Sequence, residues 1–293
     1  MNVSAKGFGA CGIRGLYPDV VNEELAYRVG RAFPGLAGAR KVAVGHDIRL
    51  SGPSLQAALI RGLTEAGCDV LDIDLCGTEM IAFAVRAYQL DGGIMLTAGS
   101  DAKAYNGMTL MRRDACLLTG DTGLRDLEAL VLAAEPAPAA ARTGQVEKED
   151  ITEDYIAGIL SHIDLDRLKP FRVVANTGNG AAGPVINAIE KKLPFDIVKV
   201  NNIPDGNFPN GEPNPLLPEN RESTAKAILE SEADLGAAWN CDFSRCILFD
   251  ERGNCLESGS GEGGSSEGGS SMLAWLRVME RCSQFGVHSE TNA

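Results

Sequence analysis

Residues 95–108, MLTAGSDAKAYNGM, lead an apolar strand-like run into a polar loop that holds a hydroxyl at Ser100 and a carboxylate at Asp101. A serine at that place has the chemistry of a nucleophile, provided that neighbouring groups activate it. A second stretch, TGNGAAG at 177–183, spaces Gly178, Gly180 and Gly183 as G-x-G-x-x-G between a strand and a helix, the setting of a dinucleotide fingerprint. That chemistry also needs an acidic residue about 20 positions on to hold the ribose hydroxyls, and FDIVKVNN offers Asn201 and Asn202 instead. The glycines are therefore read as serving a tight turn and close helix–strand packing. The eight cysteines include no C-x-x-C pair. Cys241, Cys246 and Cys255 lack the tight pairing of a thiol metal site, so idle or buried thiols are expected.

The loops depend on an alternation of strands and helices. KVAVGHD (41–47), DVLDIDL (69–75) and GGIMLTA (92–98) are short, apolar and bounded by Gly or Asp, as strands are. Between them, NEELAYRVGRAF opens on Asn22 as an N-cap and spaces Leu25, Val29 and Phe33 along one helical face. PSLQAALIRGLTEAG does the same with Leu55, Leu59 and Leu63, and Gly67 is its stop. AAEPAPAAARTG (133–144) lacks an apolar period and reads as a domain linker. A second unit follows: a helix over 151–168 capped by Thr152, the strand FRVVA, the helix PVINAIEKKL, the strand FDIVKV, the helix ESTAKAILESEA, and strands in DLGAAW and RCILFDERG. The order predicts an α/β fold with much of its sheet parallel.

At 293 residues the chain has room for about two domains. Forty acidic against 27 basic residues give a formal charge of −13, which argues against a nucleic-acid partner. No apolar run approaches the roughly 20 residues of a membrane span, and the start has no apolar leader segment, so a cytoplasmic protein is expected. Near the end, SGSGEGGSSEGGSS (258–271) has the composition of a flexible coil and reads as an engineered join. Beyond it, MLAWLRVMERC sets Met272, Trp275, Leu276 and Met279 on one helical face, expected to cover an apolar face of the second domain.

GIRG (12–15), GHDIRLS (45–51), YNGM (105–108), GNGAAG (178–183), PDGNFPNGEPNPLLPEN (204–220) and CDFSRCILFDERG (241–253) occur in an order that resembles the α-D-phosphohexomutases. The branch most similar is bacterial phosphomannomutase. The resemblance runs from residue 8 to about 257. It implies three similar α/β domains and a smaller fourth, of which this chain holds two, each three-layer with a mixed sheet between helices, at 1–140 and 141–257; the linker 258–271 and a tethered C-terminal helix and tail at 272–293 follow. Such enzymes interconvert hexose 1-phosphates and 6-phosphates through a phosphoserine and one Mg²⁺. The chain reads as the N-terminal half of one, truncated before the domains that recognise the sugar and grip its distal phosphate.

The reactive loops depart from the family pattern. Its phosphoserine loop, T-A-S-H-N-P-x-x-Y-N-G-x-K, matches here at Thr97, Ala98, Tyr105, Asn106 and Gly107. The phosphoserine position is Gly99, and Ser100, Asp101, Ala102 and Thr109 stand for the His, Asn, Pro and Lys. Ser100 lies one residue along, on the opposite side of an extended segment. The metal loop D-G-D-x-D-R reads Asn240-Cys241-Asp242-Phe243-Ser244-Arg245. Asp242, Asn240 and Ser244 are the remaining candidate ligands for Mg²⁺, whose binding is expected to be weak or absent. Arg14 and Arg245 are candidate phosphate-binding residues, since a guanidinium offers forked hydrogen bonds to phosphate oxygens. Asp47 and Arg49 are expected to pair structurally. The resulting expectation is a phosphohexomutase by ancestry, without turnover, binding hexose phosphate at most weakly. The alternatives are a residual Mg²⁺-dependent phosphotransferase or phosphatase using Ser100, and an engineered scaffold or binding module.

Overall fold

Ile13–Leu16 is the first strand, β1, and the helix after it, α1 (Glu23–Ala37), starts where Asn22 Oδ1 accepts the Leu25 N–H at 3.0 Å. Strand β2 (Lys41–His46), helix α2 (Gly52–Glu65), strand β3 (Asp69–Leu75), helix α3 (Thr78–Ala87) and strand β4 (Gly92–Leu96) alternate next. Strands β5 (Tyr105–Arg112) and β6 (Cys116–Leu117), helix α4 (Arg125–Leu132) and strand β7 (Val146–Lys148) complete the first of two units, which ends at Ile151. This computed structural model describes residues 3–133, 140–256 and 270–285.

The first sheet runs β1-β5-β4-β2-β3-β7, with β6 on β5. Its β1/β5 and β5/β4 pairs are antiparallel, whereas β4/β2, β2/β3 and β3/β7 are parallel. Val42, Val44, Ile94 and Leu96 share a buried cluster with Leu25, Val29 and Phe33 of α1, Leu55, Leu59 and Leu63 of α2, and Leu127 and Val131 of α4. On the other face, a Cβ at Gly93 would fall 2.5 Å from Ile81 of α3. The sheet is thus a layer between helices. Residues 141–151, read in the sequence as the start of the second domain, belong to this unit: β7 pairs with β3, and Gly144 N donates to Thr64 O at 2.8 Å.

The second unit comprises α5 (Thr152–Leu160), β8 (Arg172–Asn176), α6 (Ala182–Ile189), β9 (Asp196–Val200), α7 (Glu222–Ser231), β10 (Leu235–Trp239), β11 (Cys246–Phe249), β12 (Cys255–Leu256) and α8 (Ser271–Phe285). The sheet order is β12-β11-β10-β8-β9, antiparallel through β10 and parallel beyond it. Ile228 of α7 packs with Val174, Ala238 and Phe249 on one face. Trp239, next to Ala238, points to the opposite face. The helix expected over 151–168 stops at Leu160; the turn after it lets Ile163 and Leu168 reach the core, where they are 7% and 8% exposed.

Helix α8 packs on the Trp239 face. Met272, Trp275, Leu276 and Met279 are all buried, and the Trp275 ring meets Trp239 edge-on at 5.5 Å and Phe195 at 6.3 Å. Glu280 and Ser283 also accept the backbone N–H groups of Asp164 and Lys169, both at 3.0 Å. The Gly/Ser/Glu segment that precedes α8 lies, from 257 to 269, outside the described residues.

Candidate functional site

The loop between β4 and β5 is held from beneath by one buried ion pair. Asp47, directly after β2, accepts Thr97 Oγ1 at 2.7 Å and the Arg49 backbone N–H at 2.9 Å. Arg49 Nε lies 3.2 Å from Asp47 Oδ2, and both side chains are buried. The Arg49 guanidinium then reaches three loop carbonyls: Gly99 O at 3.1 Å, Asp101 O at 2.7 Å and Ala102 O at 3.0 Å. Backbone acceptors inside a protein need donors, and this one side chain supplies three of them. At the far end Asn106 ties the loop down, donating to Ser51 Oγ at 2.8 Å.

Within this frame Gly99 has φ +57°, and its N–H donates to Thr97 Oγ1 at 2.8 Å. A Cβ built on Gly99 would stand 3.6 and 3.7 Å from the two Nη atoms of Arg14, an ordinary contact. Arg14 thus faces the side-chain direction of residue 99, and that side chain is a hydrogen atom. Arg14 Nη1 lies 3.4 Å from Asp101 Oδ2, with both groups nearly half exposed. An exposed pair of this kind contributes about 0–1 kcal/mol. Residues 99–101 form a turn, in which Asp101 N donates to Ala98 O at 3.1 Å. Ser100 therefore does not stand on the opposite side of an extended segment, the position that its place in the sequence predicts. Ser100 is half-buried in that turn.

In the second unit, Asn240, Asp242 and Ser244 come together as expected of neighbours in a turn, but as partners of one another. Asp242 Oδ1 accepts the Asn240 side-chain amide at 2.8 Å and Ser244 Oγ at 2.7 Å. Asn240 Oδ1 accepts the Arg245 N–H at 3.0 Å. These residues do not fit Mg²⁺: a hard cation needs oxygen lone pairs directed at it, whereas Asn240 and Ser244 direct donors at the one carboxylate. Among the described residues no group of three or more His, Cys, Asp and Glu is placed to hold a metal ion. The Arg245 side chain is exposed, while its backbone closes the turn by accepting Asn240 N at 3.2 Å.

The glycine fingerprint is spent on packing. A Cβ would fall 2.3 Å from Pro213 at Gly178, 2.7 Å from Cys241 O at Gly180, and 2.1 Å from Asn202 O at Gly183. All eight cysteines are free thiols. Burial, with Asp69 and Asp91 nearby, pushes the Cys68 thiol up to about 12, so it is not a thiolate nucleophile.

The family model for phosphoglucomutase/phosphomannomutase, alpha/beta/alpha domain I, matches residues 5–136, and that for domain II matches 153–253. The chain is 46% identical over 257 residues to the phosphomannomutase of Salmonella montevideo, covering 85% of this chain and 56% of that protein. Phosphohexose mutases of Xanthomonas campestris pv. campestris are 46% identical over 253 residues, with the same coverage. Among solved structures, a phosphoglucomutase/phosphomannomutase family protein from Burkholderia thailandensis gives a TM-score of 0.79 at 31% identity, over 87% of this chain and 56% of that one. The chain spans little more than half the length of these relatives. The mixed-sheet units, the loop frame and the matched motifs agree: the chain belongs to the phosphoglucomutase/phosphomannomutase family, of which it holds α/β/α domains I and II.

Proposed function

We propose that this chain is a non-catalytic phosphohexomutase scaffold, folded around two reactive-loop frames from which the reacting groups are missing. The observation that carries this reading is Gly99. It sits where Arg14 faces residue 99, and it offers no atom that can take a phosphoryl group. Two further observations support it. Asp242 is the one carboxylate in its loop, and Arg14 has Asp101 as a neighbouring anion. Transfer of a phosphoryl group needs a positioned nucleophile and fixed positive charge together, so hexose phosphates would bind weakly through Arg14 or Arg245 without being turned over. Among the described residues no helix is long and apolar enough to cross a membrane. The eight free thiols suit a reducing compartment such as the cytoplasm.

The test is the intact mass of the protein after incubation with Mg²⁺ and a hexose bisphosphate, followed by peptide mapping. The expected result is an unchanged mass in a sample whose far-UV circular dichroism and cooperative thermal unfolding show both units folded. An added phosphoryl group on Ser100, lost in Ser100→Ala, would overturn the proposal and make the protein a rewired phosphotransferase.

A further inference from the structure

The 240–245 turn carries more internal hydrogen bonds than a degraded metal loop requires. Asp242 Oδ1 takes three donors: Asn240 Nδ2 at 2.8 Å, Ser244 Oγ at 2.7 Å and Ser244 N at 3.2 Å. The Asn240 amide orientation is fixed by its other end, since Oδ1 accepts Arg245 N at 3.0 Å. Rotating the amide by half a turn would set oxygen against carboxylate and NH₂ against N–H. Asn240 and Asp242 are 1% and 2% exposed, and Ser244 is half-buried, so the carboxylate is largely shielded from solvent.

Helix α8 touches the same turn at its stem and at its apex. Trp275 packs on Trp239, the residue before Asn240. At the apex Ser271 Oγ, in the first residue of α8, donates to Phe243 O at 2.6 Å. Phe243 has φ +38°, a left-handed conformation that a phenylalanine adopts only when its surroundings impose it. Its ring is fully buried and lies 6.2 Å from Tyr155 of α5.

We propose that residues 240–245 form a metal-independent clip latched by α8: the Asn240 amide and the Ser244 hydroxyl give the Asp242 carboxylate the positive partners that a divalent cation would give, and the Ser271 hydroxyl holds the strained apex. The clip does not depend on what the Gly99 loop binds, so failure of the scaffold reading would leave it standing. It makes α8 a working part of the second unit, which sets the conformation of a loop as well as covering a face.

Two measurements on the full chain test it. The melting temperature of the unaltered protein is expected to be the same in EDTA and in millimolar Mg²⁺ or Mn²⁺. The Asn240→Asp/Ser244→Asp variant, which replaces both donors by carboxylates, is expected to melt lower in EDTA and to recover on adding the metal. A melting temperature of the unaltered protein that rises with Mg²⁺ would overturn the metal-independence.

The latch is read by native-state thiol labelling mapped to single cysteines. Cys241 is fully buried within the turn, and Cys282 is buried on α8. Loss of one net hydrogen bond in Ser271→Ala is expected to speed labelling of Cys241 about two- to tenfold, with Cys282 still protected and native tryptophan fluorescence retained. Unchanged protection of Cys241 would refute the latch. Equal acceleration at Cys282 would refute it too, because the helix would then be coming away as a whole.

Discussion

Replacing Asp47 by alanine should unfold the first unit far more readily than its size suggests. The carboxylate is fully buried and has Arg49 Nε 3.2 Å away, the Arg49 N–H at 2.9 Å and Thr97 Oγ1 at 2.7 Å. In the variant the Arg49 charge stays buried without an anion, because its guanidinium is still held by the carbonyls of Gly99, Asp101 and Ala102. Removing one partner of a buried pair costs about 3–5 kcal/mol, a large share of the roughly 5–15 kcal/mol that stabilises a domain. With a urea slope of about 2 kcal/mol per M, the midpoint should fall by about 1.5–2.5 M. Both tryptophans, Trp239 and Trp275, lie in the second unit, so their fluorescence follows that unit, whereas far-UV circular dichroism follows both. The expected outcome is a circular-dichroism transition that splits, its early phase moving while the fluorescence midpoint stays. An early phase that moves by less than about 0.5 M, near 1 kcal/mol at that slope, would refute the idea that this ion pair holds the loop.

Two further outcomes follow from the same geometry. Gly99→Ser has room for its side chain but adopts φ +57°, so it should fold, lose about 1–2 kcal/mol, and still take up no phosphoryl group from a hexose bisphosphate by mass spectrometry. Acid should weaken the first unit. A backbone N–H from Gln145 holds Asp69 below the usual carboxylate range, Lys148 does so for Asp74, and the Tyr27 hydroxyl does so for Glu65. Each carboxyl has a lower pKa folded than unfolded, so the unfolded chain takes up more protons in acid. Their contribution is complete above the unfolded values near 4 and is lost as pH falls through the native ones. Thermal unfolding at pH 7, 5, 4 and 3 should show stability dropping below about pH 4; a flat profile would contradict it.

Local order was legible where apolar residues recur at helical spacing. Asn22 with Leu25, Val29 and Phe33, and Met272 with Trp275, Leu276 and Met279, identify α1 and α8 because both face a core. Strand β7 was not legible: Val146, Glu147 and Lys148 are all exposed and show no alternation, so they resemble a linker. The pairing of β1 with β5 joins residues far apart in the chain, Ile13 with Met108 and Arg14 with Gly107, and no local signal carries that register. At the site, Gly99 and the single carboxylate of Asp242 stood out in the sequence only against the family pattern that the chain resembles. The reach of Arg49 to three carbonyls and the orientation of the Asn240 amide were not readable, since each depends on where a side chain ends in space; nor was the turn at 99–101, which rests on backbone conformation.

Strand β7 also decides what the border of the first sheet presents. It covers the free side of β3, where Val70 and Leu71 are buried, by parallel pairing from Val70–Val146 to Asp72–Lys148. Without it, β3 would end the sheet as an apolar row of unpaired N–H and C=O groups, a template for pairing with a second copy. In its place β7 presents a short, charged border, with Glu147 bound to Lys41 at 2.9 Å and Lys148 to Asp74 at 2.8 Å. Charge and brevity at a sheet border discourage edge-to-edge aggregation. Residues 141–151 thus carry the strand that closes this border, and an excised first unit would need to run through Ile151 to keep it.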